Sequence, residues 1–313
     1  MSKKTKENSK KTRSRFIPRI KDNADLLKKS VVEFVEEDSF MHGAALAYYA
    51  IIALVPIIYL SITYFGLIVG QDRVIEIVTH LLESNMGITD LTPLTDLMYK
   101  YNIGKGPNKV LQIVGIIALI FTSTAMFNSL SKSLNAFFGI KNEYDYRYNS
   151  RLLDNLLKRL ISFGLMAIFG IVIVVIYFFQ SILIGLSAEL LSDGSKSQAL
   201  LYSFLEHFSI LFINFIAFTF VFKFLHNGIV RWRLAMIGAL FTSFMLYLGQ
   251  LLINYYLSNF FFAANSGIAG TMLAILAWIF YTSQIIFLGA KVMAVYARMI
   301  DMPILPKKRR EGD

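Results

Sequence analysis

Residues 43–70 read GAALAYYAIIALVPIIYLSITYFGLIVG, a stretch of 28 residues that contains no charged side chain. An α-helix rises about 1.5 Å per residue, so about 20 apolar residues cross the hydrocarbon layer of a bilayer, which is about 30 Å thick. The apolar core of a secretory signal has only about 7–15 residues and lies close to the N-terminus. Because 42 mostly polar residues precede this stretch, we expect a membrane-spanning helix rather than a cleaved signal or a soluble core helix.

The composition of the whole chain agrees with a membrane protein. Its residues are 56% hydrophobic and 17% charged, whereas soluble domains have roughly 25% charged residues. The other apolar runs are too continuous for the strands of a membrane β-barrel, in which apolar and polar residues alternate. Because backbone groups in lipid must form hydrogen bonds within their own segment, we expect these runs to be helices. We therefore predict an all-α polytopic membrane protein with short amphipathic interfacial helices and six transmembrane helices, at about 43–70, 109–128, 160–185, 200–223, 233–257 and 268–296.

The basic residues are distributed unevenly between the segments that join these runs. Of the 31 lysines and arginines, 26 lie before the first run, in 129–159, in 223–233, or from Lys291 onwards. Segments rich and poor in basic residues alternate through all six runs, which is the positive-inside pattern. We therefore expect a multi-pass protein of the bacterial cell membrane with both termini in the cytoplasm. The net charge of +10 then reflects topology, and no nucleic-acid partner is expected.

The apolar runs predict one membrane domain, residues 24–298, between two polar ends. Residues 1–23 are rich in lysine and arginine and poor in apolar residues, which predicts a disordered basic cytoplasmic tail. Residues 299–313 are expected to form a second basic cytoplasmic tail.

Two segments outside the runs have the spacing of amphipathic helices. In residues 24–37 the apolar side chains share one helical face, so the helix either lies on the cytoplasmic surface or packs under the bundle. The side chains of that face are Leu27, Val31, Phe34 and Val35. The outer loop 71–107 predicts short helices of the same kind, for which an external cap and contact with lipid headgroups are alternatives.

No group of residues in the sequence predicts catalysis. The chain has no cysteine, and its four histidines lack the spacing of metal sites. A glycine-rich phosphate loop and a nucleophile elbow are both missing from the sequence. Glu36, Glu37 and Asp38 are interpreted as a solvated helix end. We therefore expect no catalytic residue, no metal, no cofactor and no enzymatic activity.

Polar side chains inside the apolar runs are the most informative feature, because polar groups are expensive in a membrane. They recur at spacings of four and three residues, so they share helical faces. Two alternatives stay open: interhelical hydrogen bonds of about 0.6 kcal/mol each, or a polar cavity for a substrate. The candidate cavity residues are Thr124, Asn128, Ser131 and Asn135 in the second run, Ser243, Tyr247, Gln250 and Asn254 in the fifth, and Tyr281, Gln284 and Lys291 in the sixth.

Lys291 and Pro56 each allow two interpretations. Lys291 either extends towards the cytoplasm or is a buried cation facing the bundle, where it would suit an anionic headgroup. Pro56 lacks an N–H and clashes with the carbonyl of residue 52, so the first span should kink there. The kink is either a static bend or a hinge.

Four stretches share a pattern with one known family. They are HGAALAYYAIIALVPIIYLSITYFGLIVG (42–70), FTSTAMFNSLSKSLNAFFGI (121–140), RWRLAMIGALFTSFMLYLGQLLINYY (231–256) and SGIAGTMLAILAWIFYTSQIIFLGAKVMAVYA (266–297). From about residue 24 to 298 the chain resembles the YihY/BrkB family, once labelled ribonuclease BN. Two positions depart from the family's usual pattern: Lys291 replaces a glutamate, and Ser266-Gly267 replaces a Tyr-Gly pair.

The resemblance implies a six-helix membrane protein without a firmly assigned activity, for which the ribonuclease name is regarded as a misassignment. Proposals for the family favour envelope lipid transport or flipping and resistance to host killing. Together with the polar faces of the second, fifth and sixth runs, this favours transport or flipping of a lipid or other amphiphile across the membrane. The alternative is a non-transporting membrane scaffold or envelope assembly factor. Membrane lipids are the expected partners, and a homo-oligomer or an envelope partner protein stays open.

Overall fold

The computed structural model of the chain describes residues 20–86, 95–96, 109–140, 196–260 and 267–306. Nearly all of these residues are helical. The helices are α1 (Ile20–Glu36), α2 (Ser39–Val69), α3 (Gln71–Met86), α4 (Lys109–Phe137), α5 (Lys196–Phe224), α6 (Trp232–Phe260) and α7 (Gly267–Met299). Two short strands, β1 (Gly228–Ile229) and β2 (Leu305–Pro306), pair antiparallel.

Five of these helices, α2 and α4 to α7, are long and apolar enough to cross a membrane. They contain five of the six predicted runs, and the run at 160–185 lies outside the described residues. The prediction of a helical, multi-pass membrane protein is therefore confirmed, whereas the number of six spans stays a prediction. In the bundle α2 packs along α4 and α7, and α6 packs along α5 and α7.

The first span is one continuous helix that contains Pro56. Helix α2 has 31 residues, and Pro56 is buried in its interior. The helix ends at Gly70, whose φ of 91° is open to glycine because glycine has no Cβ. The Gly70 N–H donates to the carbonyl of Gly66 at 3.1 Å, and the chain enters α3 directly. The hinge at Pro56 stays a prediction.

Most buried apolar side chains lie at one end of the bundle, where α2 and α6 begin and where α4, α5 and α7 finish. We call it the basic end, because Lys132, Lys223 and Arg298 lie in its last helical turns. The rings of Phe137 and Phe287 stack there with centroids 5.0 Å apart, and both are fully buried. This end is therefore closely packed.

A smaller apolar cluster attaches α3 to the other half of the bundle. It contains Ile58 and Ile62 of α2, Val74 and Ile75 of α3, and Ile275 of α7. Its α3 residues lie in the outer loop 71–107, for which short amphipathic helices were predicted, and Ile77 of the same helix is exposed.

Helix α1 packs against α7, and Phe34 is the residue of the predicted apolar face that packs on the core. Leu26 and Ser30 are buried, and the ring of Phe34 stacks on Phe137 at 5.8 Å. Glu33 lies on the same side and pairs with cations of α7, so charge as well as apolar burial determines which face packs. The remaining side chains of the predicted face are exposed: Leu27, Val31 and Val35.

The turn between α5 and α6 is held by α4 and by the segment after α7. Strand β1 pairs with β2, so that Gly228 lies opposite Pro306. The side-chain Oδ1 of Asn135 accepts a hydrogen bond from the N–H of Asn227 at 2.9 Å. The buried ring of His226 accepts another from the N–H of Gly228 at 2.9 Å. The two strands are a small addition to the predicted all-α fold, and they bring the chain after α7 back to the basic end.

Candidate functional site

A charged cluster at the basic end joins α1 to α7. Lys291 is fully buried, and its Nζ lies 2.5 Å from Oε1 of Glu37 and 3.6 Å from Oε2 of Glu33. Nη2 of Arg298 lies 2.6 and 2.5 Å from the two carboxylate oxygens of Glu33. Of the two interpretations of Lys291, the structure therefore has the buried cation. Glu37, which was interpreted as part of a solvated helix end, is its nearest counter-ion.

The cluster balances two cations with two carboxylates. An ammonium buried without a partner costs several kcal/mol, so the two carboxylates stabilise Lys291 in its buried position. The ring of Phe137 adds a cation–π contact, with its centroid 5.9 Å from Nζ. Because Glu33 and Glu37 already neutralise the ammonium, an anionic headgroup would have to displace them to reach it.

The turn between α1 and α2 places Glu37 and Ser39 against α7. Asp38 between them adopts a left-handed backbone with a φ of 48°, which redirects the chain from one helix to the next. The backbone oxygen of Ser39 accepts a hydrogen bond from Nε2 of Gln284 at 3.2 Å. The sequence-predicted residue Gln284 therefore faces the start of α2.

Gly43 makes the close approach of Gln284 to α2 feasible. A Cβ at this position would lie 1.9 Å from Nε2 of Gln284 and 2.8 Å from Oγ of Ser283, closer than real Cβ contacts. A side chain at this position would therefore require the ends of the Gln284 and Ser283 side chains to move away from the start of α2.

Several polar atoms in this region are buried without a hydrogen-bond partner among the described residues. They include Oε2 of Glu37, Oγ of Ser39 and Oε1 of Gln284, and Ser39 is fully buried. All three are oxygens, and each can accept a hydrogen bond. The basic end therefore contains an ion-pair cluster without net charge, together with buried oxygen atoms that can still accept a hydrogen bond.

His42 connects the cluster to α4. Its Nδ1 lies 2.9 Å from Oγ of Ser133, and its ring meets Phe137 and Phe287 edge-on at 5.5 and 6.3 Å. This is the environment of a packed histidine with one polar contact.

The polar stripe of α4 is divided between different environments. Thr124 is buried, and its hydroxyl donates to the carbonyl of Ile120 in the same helix at 2.6 Å. Asn128 is exposed, whereas Ser131 is half-buried. Asn135 is buried and holds the turn after α5. Two of the four residues thus make contacts that stabilise the fold.

Tyr281 of the α7 stripe packs against α6 at Gly249. The Tyr281 hydroxyl lies 3.3 Å from the carbonyl oxygen of Met245, and a Cβ on Gly249 would come within 1.8 Å of that hydroxyl. The ring of Tyr247 meets His207 of α5 edge-on at 5.8 Å. Ser243 is fully buried, and its Oγ has no partner in the described part of the chain.

The candidate residues therefore do not converge on one site. Lys291 and Gln284 belong to the cluster with α1 and the start of α2, and Tyr281 belongs to the α6–α7 interface. Gln250 is half-buried on α6, and Asn254 lies on α6 with its side chain outside the described residues.

Sequence reasoning missed the partners of Lys291. The signal was present in Glu33 and Glu37, which are four residues apart, at the end of α1 and in the turn that follows it, immediately before the first span. Acidic residues at this spacing can approach a single cation from one side. Among the described residues, no group of three or more histidines, aspartates or glutamates is placed to hold a metal ion.

The fold and this buried charge cluster define a polytopic helical membrane protein. The sequence profile of the family described as "Virulence factor BrkB" matches residues 30–312, so the chain belongs to that family. The resemblance seen in the four quoted stretches is therefore confirmed.

One relative is a "UPF0761 membrane protein" from Glaesserella parasuis serovar 5 (strain SH0165). It is 24% identical over 196 residues, which cover 61% of this chain and 64% of that protein, so the match spans slightly less than two thirds of the relative. No solved structure matches the chain.

Proposed function

We propose that the protein transports or flips a lipid or another amphiphile across the membrane, without a catalytic step. The observation that supports this most is a set of buried polar atoms on α6 and α7 that lack partners in the described structure: Oγ of Ser243, Oγ1 of Thr282 and Oε1 of Gln284. A buried polar group left unpaired costs about 1–3 kcal/mol. Groups whose role was to hold helices together would be paired, so these atoms favour a path in which water or a headgroup supplies the partner.

The α6–α7 interface is the proposed path. Its crossing point at Gly249 is held by the 3.3 Å contact from Tyr281 to the carbonyl of Met245, which is long for a hydroxyl hydrogen bond. A passing headgroup with hydrogen-bond donors can replace the Tyr281 hydroxyl as the donor to the carbonyl of Met245. Pro56 in the neighbouring α2 is the candidate hinge. Since the sequence has no ATP-binding motif, movement would be passive, ion-coupled or driven by a partner.

The alternative is a non-transporting scaffold or an envelope assembly factor. Asn135 supports it, because its side chain is used to hold the turn after α5. Thr124 supports it as well, because its hydroxyl is paired within α4. A scaffold requires such paired groups throughout, whereas the proposed path requires the unpaired ones on α6 and α7.

Reconstitution of the purified full-length chain into proteoliposomes tests the proposal. We expect a labelled phospholipid to cross faster than in protein-free vesicles, and Ser243→Ala and Thr282→Val to slow the crossing about tenfold, as expected for losing one contact of about 1.4 kcal/mol. Thr219→Val is the matched control, because that hydroxyl already donates to the carbonyl of Phe215 at 2.7 Å. Movement no faster than in protein-free vesicles, with anionic and neutral lipids alike, would exclude passive flipping and leave a driven transporter or the scaffold.

Six transmembrane helices with cytoplasmic termini are the proposed topology. The contact of Asn227 with Asn135 supports it, because it joins the turn after α5 to the end of α4 at the basic end, and the contact of His42 with Ser133 places the start of α2 at the same end. A chain that leaves α4 at this end and enters α5 at the other must cross the membrane an odd number of times between residues 141 and 195. The uncharged run at 160–185 is the candidate crossing.

Single cysteines test this topology cleanly, because the natural chain has none. We expect Ser195→Cys to react with a membrane-impermeant maleimide added to intact cells, and Asn149→Cys to react only after the cells are opened. Labelling of both positions in intact cells would contradict a crossing between them.

A further inference from the structure

A groove runs between α1 and the last turns of α7 at the basic end, with a volume of about 750 Å³. Three of its lining residues are cationic: Lys28 and Lys29 of α1 and Arg298 of α7. Both lysines are exposed, and the side chain of Arg298 is 45% exposed. The groove therefore offers cationic groups from two helices that are fixed to each other by the Lys291 cluster.

The carboxylates of the groove do not cancel this charge. They are Asp25 and Glu33, so the lining has one more cation than it has anions. Glu33 is engaged by Arg298, and the buried ammonium of Lys291 behind it is neutralised by Glu37, so the cluster adds no net charge to the groove. The excess of one cation comes from the exposed lysines of α1.

Arg298 is suited to hold a phosphate as well as Glu33. Its contacts to Glu33 use only the Nη2 nitrogen. A guanidinium has five N–H donors in a planar fork, and this fork matches phosphate oxygens. The donors on Nε and Nη1 can therefore contact a phosphate without releasing Glu33.

The remainder of the lining is apolar and belongs to a membrane-spanning helix. Val295 and Met299 come from the last turns of α7, which is a candidate span up to Met299, and Val32 comes from α1. On other faces, α1 and the start of α2 expose apolar side chains: Leu27, Val31, Val35, Phe40 and Met41, each at least 45% exposed. Such side chains are stable in contact with acyl chains, which puts the cationic groups at headgroup level.

We propose that this groove binds an anionic phospholipid of the leaflet on the basic side. Arg298, Lys28 and Lys29 contact its phosphate, and one acyl chain lies along Val32 and Met299, whose side chains are exposed. A zwitterionic lipid binds less well, because its ammonium group would be brought to three cations. The lipid contacts α1 and α7 together, so it adds to the attachment that the Lys291 cluster provides.

Native mass spectrometry of the full-length chain in a neutral detergent tests this proposal. Dioleoyl-phosphatidylglycerol and dioleoyl-phosphatidylcholine are titrated separately, and we expect a tightly retained first phosphatidylglycerol. Each basic residue near an anionic surface contributes roughly fivefold in affinity, so Lys28→Gln/Lys29→Gln should weaken that first site roughly 20-fold. Lys132→Gln is the control, because Lys132 is exposed at the same end of the bundle but outside the groove.

Three results would overturn the proposal. The first is equal retention of the two lipids, the second is unchanged phosphatidylglycerol binding in the double variant, and the third is displacement of the lipid by equimolar sn-glycerol phosphate, which has no acyl chain. Thermal unfolding of each variant in detergent confirms that the fold is intact, and the two lysines make no contact with the buried cluster that would threaten it. Binding in detergent is independent of movement across a bilayer, so failure of the lipid site and failure of the proposed transport are distinguishable.

Discussion

Replacing Lys291 with methionine is expected to lower the free energy of unfolding by about 2–4 kcal/mol. Removing one partner from a buried ion pair costs about 3–5 kcal/mol, and we lower the figure because the side chains of Glu33 and Glu37 are 34% and 32% exposed. The physical reason is that Glu37 keeps its charge and its partly buried position but loses its counter-ion. Detergent unfolding followed by circular dichroism measures the effect.

The double variant Lys291→Met/Glu37→Met identifies the ion pair as the cause. An apolar pair of similar volume often replaces a buried ion pair at little cost, so most of the lost stability should return, to within about 1 kcal/mol of the natural chain. Arg298→Gln is the control, since its contact with Glu33 is partly exposed and contributes at most about 1 kcal/mol. If Lys291→Met unfolds like the natural chain, the ion pair does not hold α1 to α7.

Gly249→Ala is expected to destabilise the α6–α7 interface by about 1–3 kcal/mol, as overpacking does in a closely packed core. The new Cβ would lie 1.8 Å from the Tyr281 hydroxyl and 2.3 Å from the ring carbon that carries it. A rigid ring cannot yield by that distance without moving the helix. The gain from replacing glycine with alanine in a helix, at most about 1 kcal/mol, is too small to compensate.

Gly115→Ala makes the same chemical change in α4 and serves as the matched control. Its Cβ would meet the nearest atom, on the ring of Tyr59, at 3.4 Å, which is ordinary van der Waals contact. We expect this variant to be neutral or slightly stabilised. Gly249→Ala/Tyr281→Leu should recover part of the loss, because leucine is shorter than the tyrosine ring. Equal stability of the two single glycine variants would mean that Tyr281 does not lie against Gly249.

The sequence by itself determined the class of protein, most of the spans and the family. The uncharged run at 43–70 became α2, and four other runs became α4 to α7. This is predictable because the bilayer imposes a one-dimensional requirement: about 20 consecutive apolar residues in a helix that pairs its own backbone groups. Each apolar run meets this requirement through its own composition, independently of the helices that pack against it.

The partners of polar and charged side chains depended on the tertiary structure. Nothing in the spacing of α7 indicates that Lys291 meets Glu37, which is 254 residues away along the chain, or that Tyr281 crosses to Gly249. The packing of α1 depended on the tertiary structure in the same way, since Phe34 of the predicted apolar face packs on the core, Leu27 and Val31 are exposed, and Glu33 pairs with α7. Spacing along one helix specifies which residues share a face, but the energy of a buried charge depends on what the other helices bring to within a few ångströms of it.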